Sequence, residues 1–196
     1  MPLPIGHSLM GYALAETTSV GRDGSRWKML LLFVIVSNLP DFDFLFGFFL
    51  NDPNRFHRHF ISHSIGTSVL VGVACGLYFR FVQGKRFTVY CLTFAAVCFS
   101  HVALDTFSVD HTYPFGVPMF WPFSDTYFMS PVPLFMSVQK GGDSLSFVKT
   151  LFVEHNLLAA LWEFIMFVPV LLILKAWKSR KGVVGYLHQK RMRFQA

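Results

Sequence analysis

Apolar residues dominate four long segments of this chain, which run from about Met29 to Leu50, from Ile65 to Val82, from Phe87 to Phe107 and from Leu157 to Trp177. Each segment approaches the roughly 20 predominantly apolar residues that a helix needs to cross a bilayer. The pattern therefore predicts four membrane-spanning helices.

The start of the chain has a pattern of its own. Residues 6–17 are predicted to form a short helix, and a glycine-containing turn follows it. Pro40 and the aspartates behind it interrupt the first span, so we expect a helix over residues 27–39 followed by irregular backbone. The two helices would form a hairpin, which places His7 at the same height as Asp41.

The composition is typical of a membrane protein. Hydrophobic residues make up 53% of the 196 residues, charged residues make up 14%, and 24 residues are Phe, which is more apolar surface than one soluble core buries. We predict an all-α integral membrane helical bundle of about four spans plus a short N-terminal helix. Residues 1–177 are expected to form a single membrane-embedded domain with a long loop or lid at 108–149, and residues 178–196 a basic cytoplasmic tail.

Basic residues indicate how the bundle is oriented. The net charge is +6, and Lys and Arg concentrate before the first span, between the second and third spans and in the tail. Connections rich in Lys and Arg face the cytoplasm. A basic run beside an apolar helix more often binds anionic lipid headgroups than nucleic acid. We expect membrane lipids as partners and no nucleic acid.

Polar residues that are costly to bury occur in or beside three of the spans. His101 and Asp105 are four residues apart, so one helical turn places both on the same face. Asp41 lies late in the first span and His63 opens the second, so these side chains and the pair in the third span approach the extracytoplasmic face at one depth. A structural alternative for Asp41 is a helix cap or an ion pair with Arg58. The convergence predicts a single site.

The predicted site combines imidazole and carboxylate groups without thiolates. Such ligands suit zinc, manganese or iron, and a mixed set fits one or two hydrolytic metal ions. The chain contains no Gly-x-Ser-x-Gly elbow and no glycine-rich phosphate loop. Arg58 could hold a phosphate or carboxylate with two hydrogen bonds, and Asp43 could handle a proton.

Other positions keep two interpretations. His57 and His59 are alternative ligands: His59 would share a helical face with His63, whereas Ser62, as a helix cap, would leave His59 in the preceding loop. Glu163 lies among apolar residues of the fourth span. It is either a further ligand or the acceptor of a structural hydrogen bond.

Three stretches, in this order, resemble one known family. They are Pro40-Asp41-Phe42-Asp43, His57-Arg58 through Ser62-His63-Ser64, and Ser100-His101-Val102-Ala103-Leu104-Asp105 followed by Gly116-Val117-Pro118-Met119-Phe120-Trp121-Pro122-Phe123. Over roughly His7 to Phe123 the chain is similar to the YdjM-type family of membrane-bound proteins regarded as metal-dependent hydrolases. It departs from the family pattern by an insertion that contains Asp110 and His111 and by a histidine run that is one residue longer.

The resemblance implies residence in the bacterial inner membrane and defines no substrate. It also implies metal ligands at His7, Asp41, His63, His101 and Asp105. We therefore predict a membrane-bound metal-dependent hydrolase with zinc or manganese, acting on a phosphoester or acyl bond of a lipid or lipid-linked substrate. The alternatives are a transporter or handling protein for metals or ions, and a non-catalytic membrane scaffold.

Overall fold

The computed structural model describes residues 2–54, 57, 61–111 and 113–193, and for residues 179–193 it describes the backbone. Seven α-helices occur in this part of the chain. They are α1 (Pro4–Thr17), α2 (Arg26–Asn38), α3 (Asp43–Phe49), α4 (Ile65–Gln83), α5 (Phe87–Thr106), α6 (Ser144–Thr150) and α7 (Glu154–Arg193). Two 3₁₀ turns, Val20–Arg22 and Leu39–Phe42, lie between α1 and α3.

Four helical stretches are long and apolar enough to cross a membrane: Arg26–Phe49, Ile65–Gln83, Phe87–Thr106 and Glu154–Lys178. The predicted all-α bundle of about four spans is confirmed, and no β-strand occurs among the residues that the structure describes. The short helix α1 packs against α2 and α7, α2 packs against α5, and α4 and α5 form an antiparallel hairpin.

A compact aromatic and aliphatic core lies between α2, α4 and α5. Phe33 and Phe94 are fully buried with ring centroids 5.1 Å apart, and Val97 and Cys98 pack beside them. Large apolar residues on the outer faces of the spans, such as Leu70 and Ile165, are exposed. Because a bilayer is as apolar as these side chains, the outward-facing residues suit a lipid environment.

The hairpin of α4 and α5 depends on glycine at the helix contact. A Cβ atom added at Gly72 would lie 2.5 Å from the carbonyl oxygen of Cys91 and 2.6 Å from the Cβ of Ala95. Only a residue without a side chain lets the two backbones approach this closely. The close approach fixes the height of α5, and therefore of its last turn, relative to the start of α4.

Residues 107–111 and 113–143 form a connection across one end of the bundle. Two backbone hydrogen bonds fasten it to the first turn of α4, from Ile65 to the Met119 carbonyl (2.8 Å) and from Gly66 to the Trp121 carbonyl (2.9 Å). The side chain of Asn156 in α7 binds both the amide and the carbonyl of Gln139. Within the range 108–149, α6 occupies the last part.

Ion pairs hold the other end of the bundle. Asp23, in the turn after α1, accepts a hydrogen bond from Tyr90 and pairs with Lys85 at 2.7 Å, which links this turn to the connection between α4 and α5. Glu16 pairs with Arg26 and with Lys178 of α7, both at 2.5 Å. Basic side chains therefore collect at the end of the bundle that lies away from the loop.

Two local expectations are corrected by the structure. The backbone after Asn38 is a single 3₁₀ turn that leads directly into α3, rather than an extended irregular stretch. The cap of α4 is Ser64, whose hydroxyl accepts from the amide of Thr67 at 3.2 Å, and not Ser62. Ser62 lies two residues too early to reach that amide, and its hydroxyl binds other partners near the bundle end.

Candidate metal centre

Five buried polar residues converge at the end of the bundle beneath the loop. His7 lies in the first turns of α1, Asp41 in the 3₁₀ turn after α2, and His63 just before the cap of α4. His101 and Asp105 lie one turn apart near the end of α5. The side chains of the three histidines and of Asp105 have no exposed surface, whereas that of Asp41 is 16% exposed. The structure therefore brings these five side chains together at one end of the bundle.

Four side-chain atoms of this cluster lie close together. They are His63 Nε2, His101 Nε2, Asp41 Oδ1 and Asp105 Oδ2, and five of their separations lie between 3.3 and 3.5 Å. Bonds of about 2.0–2.1 Å to one zinc ion place tetrahedral ligand atoms about 3.3–3.4 Å apart. Each of these five separations therefore matches the spacing of neighbouring ligand atoms around a cation.

Hydrogen bonds fix the tautomers of two of these histidines. The Ser37 carbonyl can only accept, so His101 Nδ1, at 2.8 Å from it, carries the proton. The Ser62 hydroxyl donates to Asp43 Oδ2 at 3.0 Å, so its oxygen accepts from His63 Nδ1 at 2.9 Å. In the neutral imidazoles both Nε2 atoms then carry lone pairs, and these two atoms lie 3.3 Å apart. Oriented imidazoles of this kind are typical of metal-binding histidines.

Buried atoms without hydrogen-bond partners surround the same point. They are Asp41 Oδ1, both carboxylate oxygens of Asp105 and both ring nitrogens of His7. Buried polar atoms are normally paired, because an unpaired one loses its hydration without compensation. A single proton could join only two of these atoms, whereas a divalent cation satisfies several together. The donor set therefore fits a divalent metal ion.

His7, in α1, adjoins this group of four atoms. Its ring stacks on that of His101 with centroids 3.7 Å apart, and its Nε2 lies 3.4 Å from Asp105 Oδ1. Burial, and then the neighbouring His101, lower the pKa of His7, which favours the neutral imidazole that metals bind. His7, His101 and Asp105 form one group that could hold a metal ion, and Asp41, His57 and His63 form another.

His57 has partners on both ring nitrogens. Its Nδ1 lies 3.0 Å from Asp43 Oδ1 and 3.9 Å from Asp41 Oδ1, and its Nε2 lies 3.0 Å from Lys140 Nζ. Burial, and then Lys140, hold the pKa of His57 well below its usual value, so the ring is neutral. Nδ1–H then donates to Asp43 and Nε2 accepts from Lys140. This arrangement makes His57 part of a hydrogen-bonded chain that runs through Asp43 and Ser62 to His63.

Glu163, which the sequence offered as a further ligand, occupies a different place. Its buried carboxyl group accepts hydrogen bonds from the amides of Leu3 (2.6 Å) and Gly6 (2.8 Å), and it belongs to neither group of possible metal ligands. The first amides of a helix lack partners within the helix. Glu163 therefore supplies acceptors for the start of α1, the helix that carries His7.

The remaining predicted residues fall into two classes. Arg58 and His59 lie outside the residues that the structure describes, so their roles stay predictions. Asp43 is buried, and its oxygens accept hydrogen bonds from His57 and Ser62. Ser62 and Lys140 contribute to the site but were not predicted from the sequence. A loop lysine far along the chain carries no local signal that it contacts His57.

A cavity of about 340 Å³ reaches the edge of the centre. It is lined by residues at the start of the chain and of α1, by Asn38, Asp41, Phe42, Phe44 and Leu45, by Val138 and Lys140 of the loop, and by Phe147 and Leu151. Asp41 connects the cavity with the candidate centre, because its Oδ1 is buried in the centre and the residue also lines the cavity. Access from one side is a property of catalytic metal sites, because structural sites are closed.

Comparison with known proteins agrees with the resemblance seen in the sequence. The family model described as YdjM inner membrane protein matches residues 1–182 of the 196-residue chain. Comparisons with curated proteins and with solved structures give no match. The matched region includes the four apolar spans and every residue of the candidate centre, and on this match the chain belongs to the YdjM family of inner membrane proteins.

Proposed function

We propose that this protein is a metal-dependent hydrolase of the inner membrane. The observation that carries the proposal is the set of four lone-pair atoms on Asp41, His63, His101 and Asp105, spaced like the ligands of one ion. His7, beside the free Asp105 oxygen, is the fifth candidate ligand. Zinc or manganese fits this nitrogen and oxygen donor set.

When bound, such an ion would polarise the scissile ester or phosphoester and make water a better nucleophile. The residues around the centre orient the candidate ligands. Ser37 and Ser62 hold the two imidazoles with Nε2 towards the centre, and Asp43 anchors Ser62. Of the five candidate ligands, Asp41 has an exposed side-chain fraction of 16%, and the other four side chains have none.

Asp41 is better placed than Asp43 to take the proton of the attacking water. Its Oδ1 faces the centre, and the residue also lines the cavity. Asp43 does not line the cavity, and its two oxygens accept from His57 and Ser62. We therefore assign proton transfer to the Asp41 carboxylate and a positioning role to Asp43.

The orientation of the centre follows from charge. The basic side chains Arg26, Lys85 and Lys178 lie at the end of the bundle opposite to the centre. Since Lys and Arg prefer cytoplasmic connections, we propose that the centre lies near the extracytoplasmic face and that the tail is cytoplasmic. A lipid or lipid-linked substrate would then reach the centre from the outer leaflet.

Metal content and hydrolysis, measured on the same purified samples, test the proposal. Wild-type protein should retain zinc or manganese and cleave p-nitrophenyl phosphate or p-nitrophenyl butyrate in a manner that chelation abolishes. Asp105→Asn should lose both properties, whereas Asp125→Asn, which changes an exposed aspartate of the loop, should keep both. Cleavage by Asp105→Asn at the wild-type rate would contradict the proposal, and bound metal without any cleavage would favour the metal-handling alternative.

A further inference from the structure

The cavity beside the candidate centre is almost entirely apolar. Its volume is about 340 Å³, within the range of small-molecule sites. Most of its wall consists of hydrocarbon side chains from three elements, among them Leu3, Phe42, Phe44, Leu45, Phe147 and Leu151. A wall of this kind suits an alkyl or prenyl chain and offers few partners to a sugar or a peptide backbone.

The charged side chains of the cavity lie beside the candidate centre. Among the described residues that line it, Lys140 is the cation and Asp41 the anion. The Lys140 ammonium lies 3.0 Å from His57 Nε2 and 4.7 Å from the centroid of the Phe44 ring, so it is held beside the centre. The Lys140 ammonium would be complementary to a negatively charged ligand group that binds between Lys140 and the centre.

The outer edge of the cavity faces lipid. Leu45 lines it and is 55% exposed, and the next residues on the outside of α3, Phe46 and Phe49, are 65% and 88% exposed. A short helix that displays such large apolar side chains is suited to the boundary of a membrane. A hydrocarbon chain could therefore pass from the bilayer into the cavity without crossing water.

We propose that the cavity binds the hydrocarbon chain of a lipid phosphate ester, with the phosphate between Lys140 and the candidate centre. The inference rests on the proposed function, because a cation at the centre is needed to offset the charge of Asp41 beside the phosphate. In the reaction, water adds to phosphorus and the bond from phosphorus to the lipid oxygen breaks. The lipid alcohol leaves with one proton, and inorganic phosphate is the second product.

A non-hydrolysable probe separates binding from turnover. Tritiated dodecylphosphonate, whose phosphorus–carbon bond resists hydrolysis, is titrated against full-length protein in amphipol, and dodecanol serves as the uncharged counterpart. Wild-type protein should bind the phosphonate at least about tenfold more tightly than the alcohol. Lys140→Gln should weaken phosphonate binding about tenfold and leave the alcohol unaffected, whereas Lys149→Gln, on the exposed side of α6, should change neither.

Filling the cavity tests where the chain lies. Leu45→Trp and Val138→Trp should each weaken binding of both probes by more than about tenfold. Leu50→Trp is the matched control, because Leu50 is 53% exposed but does not line the cavity. Wild-type affinity for the two probes in both Leu45→Trp and Val138→Trp would overturn the proposal.

Equal binding of the alcohol and the phosphonate would overturn the phosphate assignment. The metal content of every sample is measured in parallel. A protein that holds metal but fails these binding tests refutes this inference alone, whereas a protein without metal refutes the proposed function.

Discussion

Removing the carboxyl group of Glu163 should loosen the start of α1. The group accepts one buried hydrogen bond, from Gly6, and one partly buried hydrogen bond, from Leu3. Loss of a buried acceptor costs about 2 kcal/mol, and we expect about 1 kcal/mol for the amide that water can reach afterwards. Glu163→Ala should therefore lower the local opening free energy of this turn by about 3 kcal/mol.

Hydrogen exchange of the purified protein measures this effect directly. Amides in the first two turns of α1 should exchange about 100-fold faster in Glu163→Ala than in the wild type, since each tenfold step corresponds to about 1.4 kcal/mol. Glu154→Ala, which removes an exposed carboxylate from the first turn of the same helix α7, should leave these amides unchanged. Because His7 follows this turn, metal should be held more weakly in Glu163→Ala but should remain at the wild-type stoichiometry when it is added in excess.

Two results would refute this reasoning. Unchanged exchange in Glu163→Ala would show that the carboxyl group does not hold the helix start. Complete loss of metal with wild-type exchange would instead make Glu163 a ligand, which is the alternative that the sequence left open.

Three further predictions address the centre, the packing and the topology. Ser62→Ala removes the hydroxyl that orients His63 and should lower metal affinity about 10- to 100-fold without unfolding the protein, as measured by competition with a chelator. Gly72→Val should destabilise the α4–α5 hairpin by about 3 kcal/mol and lower the apparent Tm, because the new side chain meets backbone, whereas Gly142→Val, with open space around it, should not. A fluorescent protein fused after Ala196 should fluoresce in cells and a periplasmic phosphatase fused there should be inactive; the reverse pattern would invert the orientation of the centre.

The spans and the grouping of the main candidate ligands could be predicted because their signals are local or additive. Hydropathy over about 20 residues identifies a span without knowledge of its neighbours. The depths of Asp41, His63 and His101 in the membrane follow from their positions along the spans and from the predicted direction of each span. One helical turn between His101 and Asp105 then gives their shared face. These steps require no knowledge of which helix packs against which.

The contacts that complete the site could not be predicted, because they join distant parts of the chain. Lys140 and His57 are 83 residues apart, and Glu163 and Leu3 are 160 residues apart. An intramembrane glutamate has the same local sequence pattern whether it binds a metal or the start of another helix. Ser62 was wrongly predicted as the cap of α4 because Ser62 and Ser64 are chemically equivalent, and only the residue at which the helix begins makes Ser64 the cap.

X-ray absorption spectroscopy of the retained metal tests the central claim most directly, because it reports the atoms bound to the ion. We predict a first shell of nitrogen and oxygen only, at about 2.0–2.1 Å for zinc, with the outer-shell scattering of at least two imidazoles. His101→Gln should reduce the imidazole contribution, and His111→Gln, an exposed histidine of the loop, should leave it unchanged. A sulfur shell, or an oxygen-only shell that His101→Gln does not alter, would contradict the account.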